Sequence, residues 1–197
     1  MKSPREIVND SASAVHQAVL KPLGYRKSGL NYVLAGDWTR IINVQLSRWN
    51  SAEDVQCTLN FGVYIGPLRQ LAERPAPVGA IKEPDSIVRV RYGLLTPPRL
   101  DHWWKVNSQT DVSELIRDFT GALVSYGIPW FDSLTDYRSV GLEYERQKDS
   151  FMASLAYYLA GELILAREQM DIALAKANKH FKPRAERIAA TLGLKAP

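Results

Sequence analysis

Apolar and polar residues alternate in two stretches of the chain, more cleanly in the second, and this alternation predicts β-strands. In the stretch Thr39–Trp49, the side chains of Ile42, Val44 and Leu46 share one side. In Val55–Ile65 the apolar face consists of Val55, Cys57, Leu59, Phe61, Val63 and Ile65. Successive side chains of a strand lie on opposite sides, so each stretch has one apolar and one polar face. The short link between the stretches predicts antiparallel pairing.

Three further stretches favour extended structure. Tyr25–Leu34 precedes a turn, Ser86–Leu95 alternates with Arg89 and Arg91 on its polar side, and His102–Val106 is short. Six of the eleven prolines lie in residues 67–98, so much of that region is predicted to be loop, with one helical turn at residues 68–73. Together these patterns predict a sheet of four to five strands.

Helical spacing dominates the two ends of the chain. Ser3-Pro4-Arg5-Glu6 has the pattern of a capping box with proline at the first helical position. Residues 111–126 carry an apolar stripe at a period of 3.6. Residues 130–149 show only weak periodicity, and short helices are predicted at 150–160, 162–178 and 183–192.

The predicted fold is α+β: an antiparallel sheet of four to five strands, covered on one face by helices, followed by a C-terminal helical hairpin. The first helix and the helix at 111–126 are expected to cover the apolar face. We expect an α+β domain at residues 1–145 and a helical extension at 146–197, which packs on that domain or on a partner.

Several short motifs occur in an order that resembles a known bacterial family. They are LKPLGYRKSG at 20–29, Tyr32, INVQLSRW at 42–49, LNFGVYIG at 59–66, the Trp103-Trp104 pair and GIPWFDSL at 127–134. The family is domain of unknown function 4304 (DUF4304), and the resemblance covers about residues 5–140. It implies an α+β domain with an antiparallel sheet, and it implies no activity.

The C-terminal segment has a weaker resemblance to a single tetratricopeptide repeat. The residues that carry it are Tyr157, Gly161, Ala166 and Ala173. Asn178 stands where that repeat usually has proline, and only one copy is present. Because a stable solenoid needs about three copies, the resemblance implies a lone helical hairpin that packs on another surface.

Composition places the chain among ordinary globular proteins and narrows its compartment. Cys57 is the only cysteine, so neither an intrachain disulfide nor a thiolate metal cage can form, and a reducing, cytoplasmic location is expected. No stretch approaches the ~20 apolar residues that span a bilayer. A net charge of +4 permits nucleic-acid binding but does not indicate it.

Motifs for catalysis, metal binding and phosphate binding are missing from the sequence. There is no GxxxxGK[ST], GxGxxG, GxSxG or HExxH pattern, and the three histidines are far apart. Asp101-His102 could form an oriented base, but a surface turn has the same pattern. We therefore predict no catalytic residue, no metal site and no cofactor.

The most informative pattern is the polar side of the predicted sheet. Amides, a hydroxyl, two arginines and tryptophans are expected there, and such a surface could hold a peptide, an anion or bases. The candidate ligand- or partner-binding residues are Asn43, Gln45, Trp49, Thr58, Asn60, Arg89, Arg91, Trp103 and Trp104. The alternative is a simply solvated sheet face.

Three classes of function remain at this point. The favoured one is a non-catalytic binding or protein-interaction protein, whose partner is another protein or a second copy bound through the C-terminal helices. The alternatives are a nucleic-acid binder and an enzyme of unknown class.

Overall fold

The computed structural model describes residues 2–194, and this part of the chain divides into two compact units. Unit 1 contains the residues up to Ile65 together with Pro77–Phe131. Unit 2 contains Gly66–Ala76 and the residues from Asp132 onward. Unit 2 thus takes in residues on both sides of position 145, where the sequence analysis placed its boundary. Whether the C-terminal helices pack on the sheet domain or on a partner stays a prediction.

Unit 1 is built on an antiparallel sheet of six strands within residues 2–194. The strands are β1 (Arg26–Ser28), β2 (Asn31–Leu34), β3 (Thr39–Leu46), β4 (Asp54–Tyr64), β5 (Val88–Arg91) and β6 (Trp104–Asn107). They pair in the order β1-β2-β3-β4-β5, and β6 pairs with β4 beyond the end of β5. The predicted α+β class and antiparallel sheet are confirmed.

One predicted strand is a hairpin in the structure. The pattern predicts Tyr25–Leu34 as a single strand, but in the structure Ser28 pairs with Asn31 across a two-residue turn. Gly29 occupies the left-handed region with φ +60°, which a tight hairpin turn favours and which glycine adopts without strain. The turn reverses the chain, so one long predicted strand becomes two short ones.

Helices cover the apolar face of this sheet, as predicted. α1 (Pro4–Val15) begins at the predicted capping box, with both Ser3–Glu6 hydrogen bonds present, and continues as a π-helical segment to Leu20. α3 (Val112–Ala122) likewise continues as a π-helical segment to Gly127, before α4 (Ile128–Ser133). The Tyr32 hydroxyl on β2 donates to the Ala12 carbonyl on α1 at 3.0 Å, so α1 lies directly against the sheet.

Unit 2 is helical. Its elements are α2 (Gly66–Leu71), α5 (Tyr137–Arg146), α6 (Ser150–Leu159), α7 (Leu163–Lys176) and α8 (Lys182–Thr191). The three C-terminal helices lie close to their predicted bounds. α6 and α7 pack against each other through a hydrogen bond of 2.6 Å from Ser154 Oγ to the Ala166 carbonyl. Arg184 on α8 hydrogen-bonds the Ala72 carbonyl after α2. The likeness to a tetratricopeptide repeat stays a prediction.

No helix within residues 2–194 is both long enough and apolar enough to cross a membrane.

Candidate binding surface on the polar sheet face

The strand register aligns the polar side chains of unit 1 across three neighbouring strands. Asn43 on β3 lies opposite Asn60 on β4, and Asn60 lies opposite Arg91 on β5. Gln45 lies opposite Thr58. Paired residues of an antiparallel sheet share a face, so these side chains are direct neighbours. We call this side of the sheet the polar face.

Four amide side chains form a hydrogen-bonded row across the polar face, which we call the amide ladder. Asn43 Nδ2 donates to Asn31 Oδ1 at 3.0 Å, and Asn60 Nδ2 donates to Asn43 Oδ1 at 3.4 Å. Asn60 Nδ2 also donates to Gln45 Oε1 at 2.7 Å. Asn60 is only 6% exposed, so the ladder satisfies a polar group that burial would otherwise leave without a partner. The ladder fixes the orientation of its members.

Arg91 stands at the end of the amide ladder and connects it to the loop before β6. Its Nε donates to Asn60 Oδ1 at 3.3 Å, and its Nη2 donates to Gln45 Oε1 at 3.4 Å. Its Nη1 donates to Asp101 Oδ2 at 2.7 Å. The guanidinium carbon lies 5.1 Å from the centre of the Trp103 ring, within cation–π range. Each of the three guanidinium nitrogens therefore donates a hydrogen bond, and the ring of Trp103 lies beside the group.

The carboxylate of Asp101 is stabilised in its charged form. Partial burial works against that form, but hydrogen bonds from Arg91 and Trp103 together with the positive charge of Arg91 outweigh it. The pKa of Asp101 is therefore below its usual range. Trp103 Nε1 donates to the same oxygen, Oδ2, at 2.9 Å.

A depression of about 330 Å³ lies beside this arrangement. Its lining residues are Asn60, Glu83, Arg89, Val90, Arg91, Leu94 and Asp101. Arg89 Nε donates to Glu83 Oε1 at 2.7 Å, and the Glu83 side chain is only 6% exposed. The depression thus lies between two arginine–carboxylate pairs, with a buried amide among its lining and the apolar side chain of Leu94 at its rim.

Three of the predicted site residues are not part of this arrangement. Thr58 is on the polar face but fully buried, so a ligand cannot reach it. Trp104 pairs with Cys57 on the apolar face and packs edge-on against Phe119 at 4.9 Å. Trp49 is 81% exposed in the loop between β3 and β4, where the Arg48 guanidinium lies 4.8 Å from its ring centre.

The remaining six predicted residues lie together on the polar face. They are Asn43, Gln45, Asn60, Arg89, Arg91 and Trp103. The structure adds three residues that were missing from the prediction, namely Asn31, Glu83 and Asp101. Of these three, only Asn31 could have been predicted from the sequence. Once the hairpin is recognised, its position in the alternation of β2 places its side chain on the polar face. Glu83 lies in the short 3-10 helix Glu83–Asp85 and Asp101 in a loop, and the positions of such segments do not follow from periodicity.

Other reactive side chains of unit 1 are engaged in packing. His16 is buried, stacks on Tyr32, and lies with Nε2 3.0 Å from the Tyr25 carbonyl. Burial raises the pKa of the Cys57 thiol to about 12, which keeps it protonated and unreactive near neutral pH. Within residues 2–194, no group of three or more histidine, cysteine, aspartate or glutamate side chains could hold a metal ion.

The fold and this surface define an α+β sheet protein with a preorganised polar face. A family model described as "Domain of unknown function (DUF4304)" matches residues 16–133, which is more than half of the chain. The chain belongs to this family, and the resemblance stated from its motifs is confirmed. Comparison with curated proteins and with solved structures gives no match.

Proposed function

We propose that the protein is a non-catalytic binding protein and that its polar face recognises a polypeptide segment of a partner protein. The single observation that carries this proposal is the fixed Arg91 guanidinium, which is held by Asn60, Gln45 and Asp101 beside Trp103. Arginine and tryptophan are the residues that most often dominate the energy of protein interfaces. An arginine that is already ordered loses little further side-chain entropy when it binds.

The surroundings of Arg91 suit a polypeptide better than a small molecule. The depression is open, and two exposed apolar residues lie close along the chain, Leu94 (43% exposed) and Leu100 (68% exposed). Protein interfaces combine such apolar groups with fixed polar ones, whereas small-molecule sites enclose most of their ligand. The partner segment would lay apolar side chains against the leucines and direct polar groups to the amides and Arg91.

The test is selection of random peptides on the full chain. Peptides displayed on phage are enriched on the wild-type protein, and their affinities are then measured by calorimetry. We expect Arg91→Ala to weaken binding by about thirtyfold, because truncation of a hot-spot arginine costs about 2 kcal/mol. Arg117→Ala is the matched control, because Arg117 is an exposed arginine on α3 and should bind the peptides as the wild type does.

Two outcomes would contradict the proposal. One is that selected peptides bind wild type and Arg91→Ala equally. The other is that no peptide is enriched although both proteins melt cooperatively at similar temperatures. Since the Arg91 side chain is 31% exposed, its removal should leave the fold intact, and the melts check this.

Nucleic-acid binding is a second candidate, favoured by a different surface. A cavity of about 370 Å³ in unit 2 has Lys148, Lys176 and Phe181 among its lining residues. Residues 176–184 contain four basic and no acidic residues. Neither Lys148 nor Lys176 forms an ion pair with another residue of the described part, 2–194. Unpaired lysines near an aromatic ring suit phosphates and bases of a single strand.

This second candidate predicts salt-dependent binding of a labelled single-stranded oligonucleotide. Lys176→Glu should abolish it, whereas Lys105→Glu, the same charge change on β6, should leave it unchanged. Binding that is equal for both variants would contradict a site at this cavity.

The remaining expectations are part of the same proposal. We infer a bacterial, cytoplasmic protein from the motifs and the single cysteine. Binding of a second copy through the C-terminal helices remains a prediction. An enzymatic activity of unknown class also remains a prediction.

A further inference from the structure

One carboxylate oxygen accepts two hydrogen bonds at the Arg91 end of the amide ladder. Asp101 Oδ2 lies 2.7 Å from Arg91 Nη1 and 2.9 Å from Trp103 Nε1. Both donors are fixed from other directions, since Arg91 is also bonded to the amide ladder and its guanidinium lies over the Trp103 ring. A charged donor and an indole N–H that converge on one point form a carboxylate-binding arrangement.

The two carboxylate side chains that line the depression differ in their exposure to solvent. The Glu83 side chain is 6% exposed and is part of the structure beneath the surface. The Asp101 side chain is 48% exposed, on the loop between β5 and β6, and its neighbour Leu100 is 68% exposed. Exchange of Asp101 for another carboxylate therefore requires movement of an exposed side chain and leaves the amide ladder in place.

We propose that Arg91 and Trp103 form a carboxylate-recognition site, that Asp101 fills this site in the free protein, and that a carboxylate of the partner displaces Asp101 on binding. The inference rests on the proposed function, and it adds the chemical class of the group that is recognised. The partner's carboxylate takes over the hydrogen bonds from Arg91 Nη1 and Trp103 Nε1. Asp101 turns into solvent, where its charge is hydrated.

Such an internal competitor lowers the apparent affinity for every acidic ligand. The apparent affinity equals the intrinsic affinity multiplied by the fraction of molecules in which the site is open. Removal of Asp101 opens the site in all molecules and should therefore raise the apparent affinity. If the site is open in about a tenth of the molecules, Asp101→Ala should bind an acidic ligand about tenfold more tightly than the wild type. If Asp101 only orders Arg91 and Trp103 for the ligand, the same substitution should instead weaken binding, because both donors lose the partner that holds them.

The experiment follows the Trp103 indole N–H signal by NMR during titration of short blocked peptides into the full chain. The probes are hexaglutamate blocked at both ends, hexaglutamine blocked at both ends, and hexaglutamine with a free C-terminal carboxylate. The first and the last separate a side-chain carboxylate from a terminal one, and blocked hexaglutamine carries no carboxylate. The signal is assigned by its loss in Trp103→Phe, and Asp37→Ala is the matched control for removal of an exposed carboxylate in unit 1.

We expect the Trp103 signal to move with a carboxylate-bearing peptide and not with blocked hexaglutamine. We also expect the titration midpoint to fall about tenfold in Asp101→Ala, to stay unchanged in Asp37→Ala, and the response to vanish in Arg91→Leu. The inference is overturned if Asp101→Ala shows no gain, or if blocked hexaglutamine gives the same response. If phage-selected peptides still depend on Arg91 in that case, the proposed function stands and only the carboxylate assignment fails.

Discussion

At the scale of single residues, Gly127 shows how tightly the core of unit 1 is packed around Phe61. A Cβ on Gly127 would lie 2.4 Å from Cε1 of the Phe61 ring, and Phe61 itself is fully buried on β4. The ring cannot withdraw, because it also packs edge-on against Phe131 at 5.9 Å. Glycine is therefore required at position 127 by close approach.

We predict that Gly127→Ala lowers the free energy of unfolding by about 1–3 kcal/mol through overpacking. Gly121→Ala is the matched control, because a Cβ there meets nothing within 4 Å and alanine favours the helix, so stability should rise by up to ~1 kcal/mol. Urea denaturation of both variants measures the difference. Equal urea midpoints for Gly127→Ala and Gly121→Ala would contradict the prediction and show that the Phe61 ring moves to make room for the methyl group.

The residues of the polar face could be predicted from the sequence only as far as strand parity allows. Asn43, Gln45 and Asn60 alternate with apolar residues, so the sequence predicts on which face of the sheet they lie. It does not predict the faces of Trp103 and Trp104, because adjacent residues of an extended chain point to opposite faces. Only the register of β6 decides which of the two tryptophans lies on the polar face. Trp103 joins Arg91, and Trp104 joins the core.

At the scale of elements, two local features explain where periodicity failed. The β1–β2 hairpin depends on one left-handed glycine, Gly29, whose effect on chain direction leaves no trace in the apolar pattern. The π-helical segment Leu123–Gly127 inserts an extra residue per turn. The apolar period therefore shifts before α4. Residues 130–149 show only weak periodicity because α4 and α5 are short, with 6 and 10 residues.

The helices of unit 2 depend on one another, as contacts between α5 and α6 show. Tyr157 on α6 fits against Gly141 on α5, where a Cβ would lie 2.5 Å from its ring, and its hydroxyl donates to Glu145 at 2.7 Å. Tyr144 on α5 is only 3% exposed.

A chain that ends after residue 145 should therefore expose apolar surface of α5 and bind an apolar dye such as ANS, whereas a chain that ends after Leu194 should not. Dye fluorescence at equal protein concentration is the measurement. A dye-free, cooperatively melting 1–145 fragment would show that α5 needs no cover from α6.

At the scale of the whole molecule, the two units carry different chemistry. Unit 1 presents amides and paired arginines on a sheet face. Unit 2 presents Lys148 and Lys176, which form no ion pair within residues 2–194, at an open depression. The overall charge of +4 does not distinguish these surfaces, because it averages over both. Function must therefore be assigned by locating where a ligand binds, and we propose that it binds on the polar face.

The most direct measurement is an NMR map of the full chain with a phage-selected peptide, read at the side-chain NH₂ signals of Asn43 and Asn60 and at the Trp103 indole. These groups lie within the amide ladder and beside Arg91, so a peptide on the polar face must shift them. We predict shifts at all three that saturate with the calorimetric affinity and are absent in Arg91→Ala. Saturating shifts confined to unit 2, with these three signals unmoved, would contradict the assignment of the polar face as the binding surface.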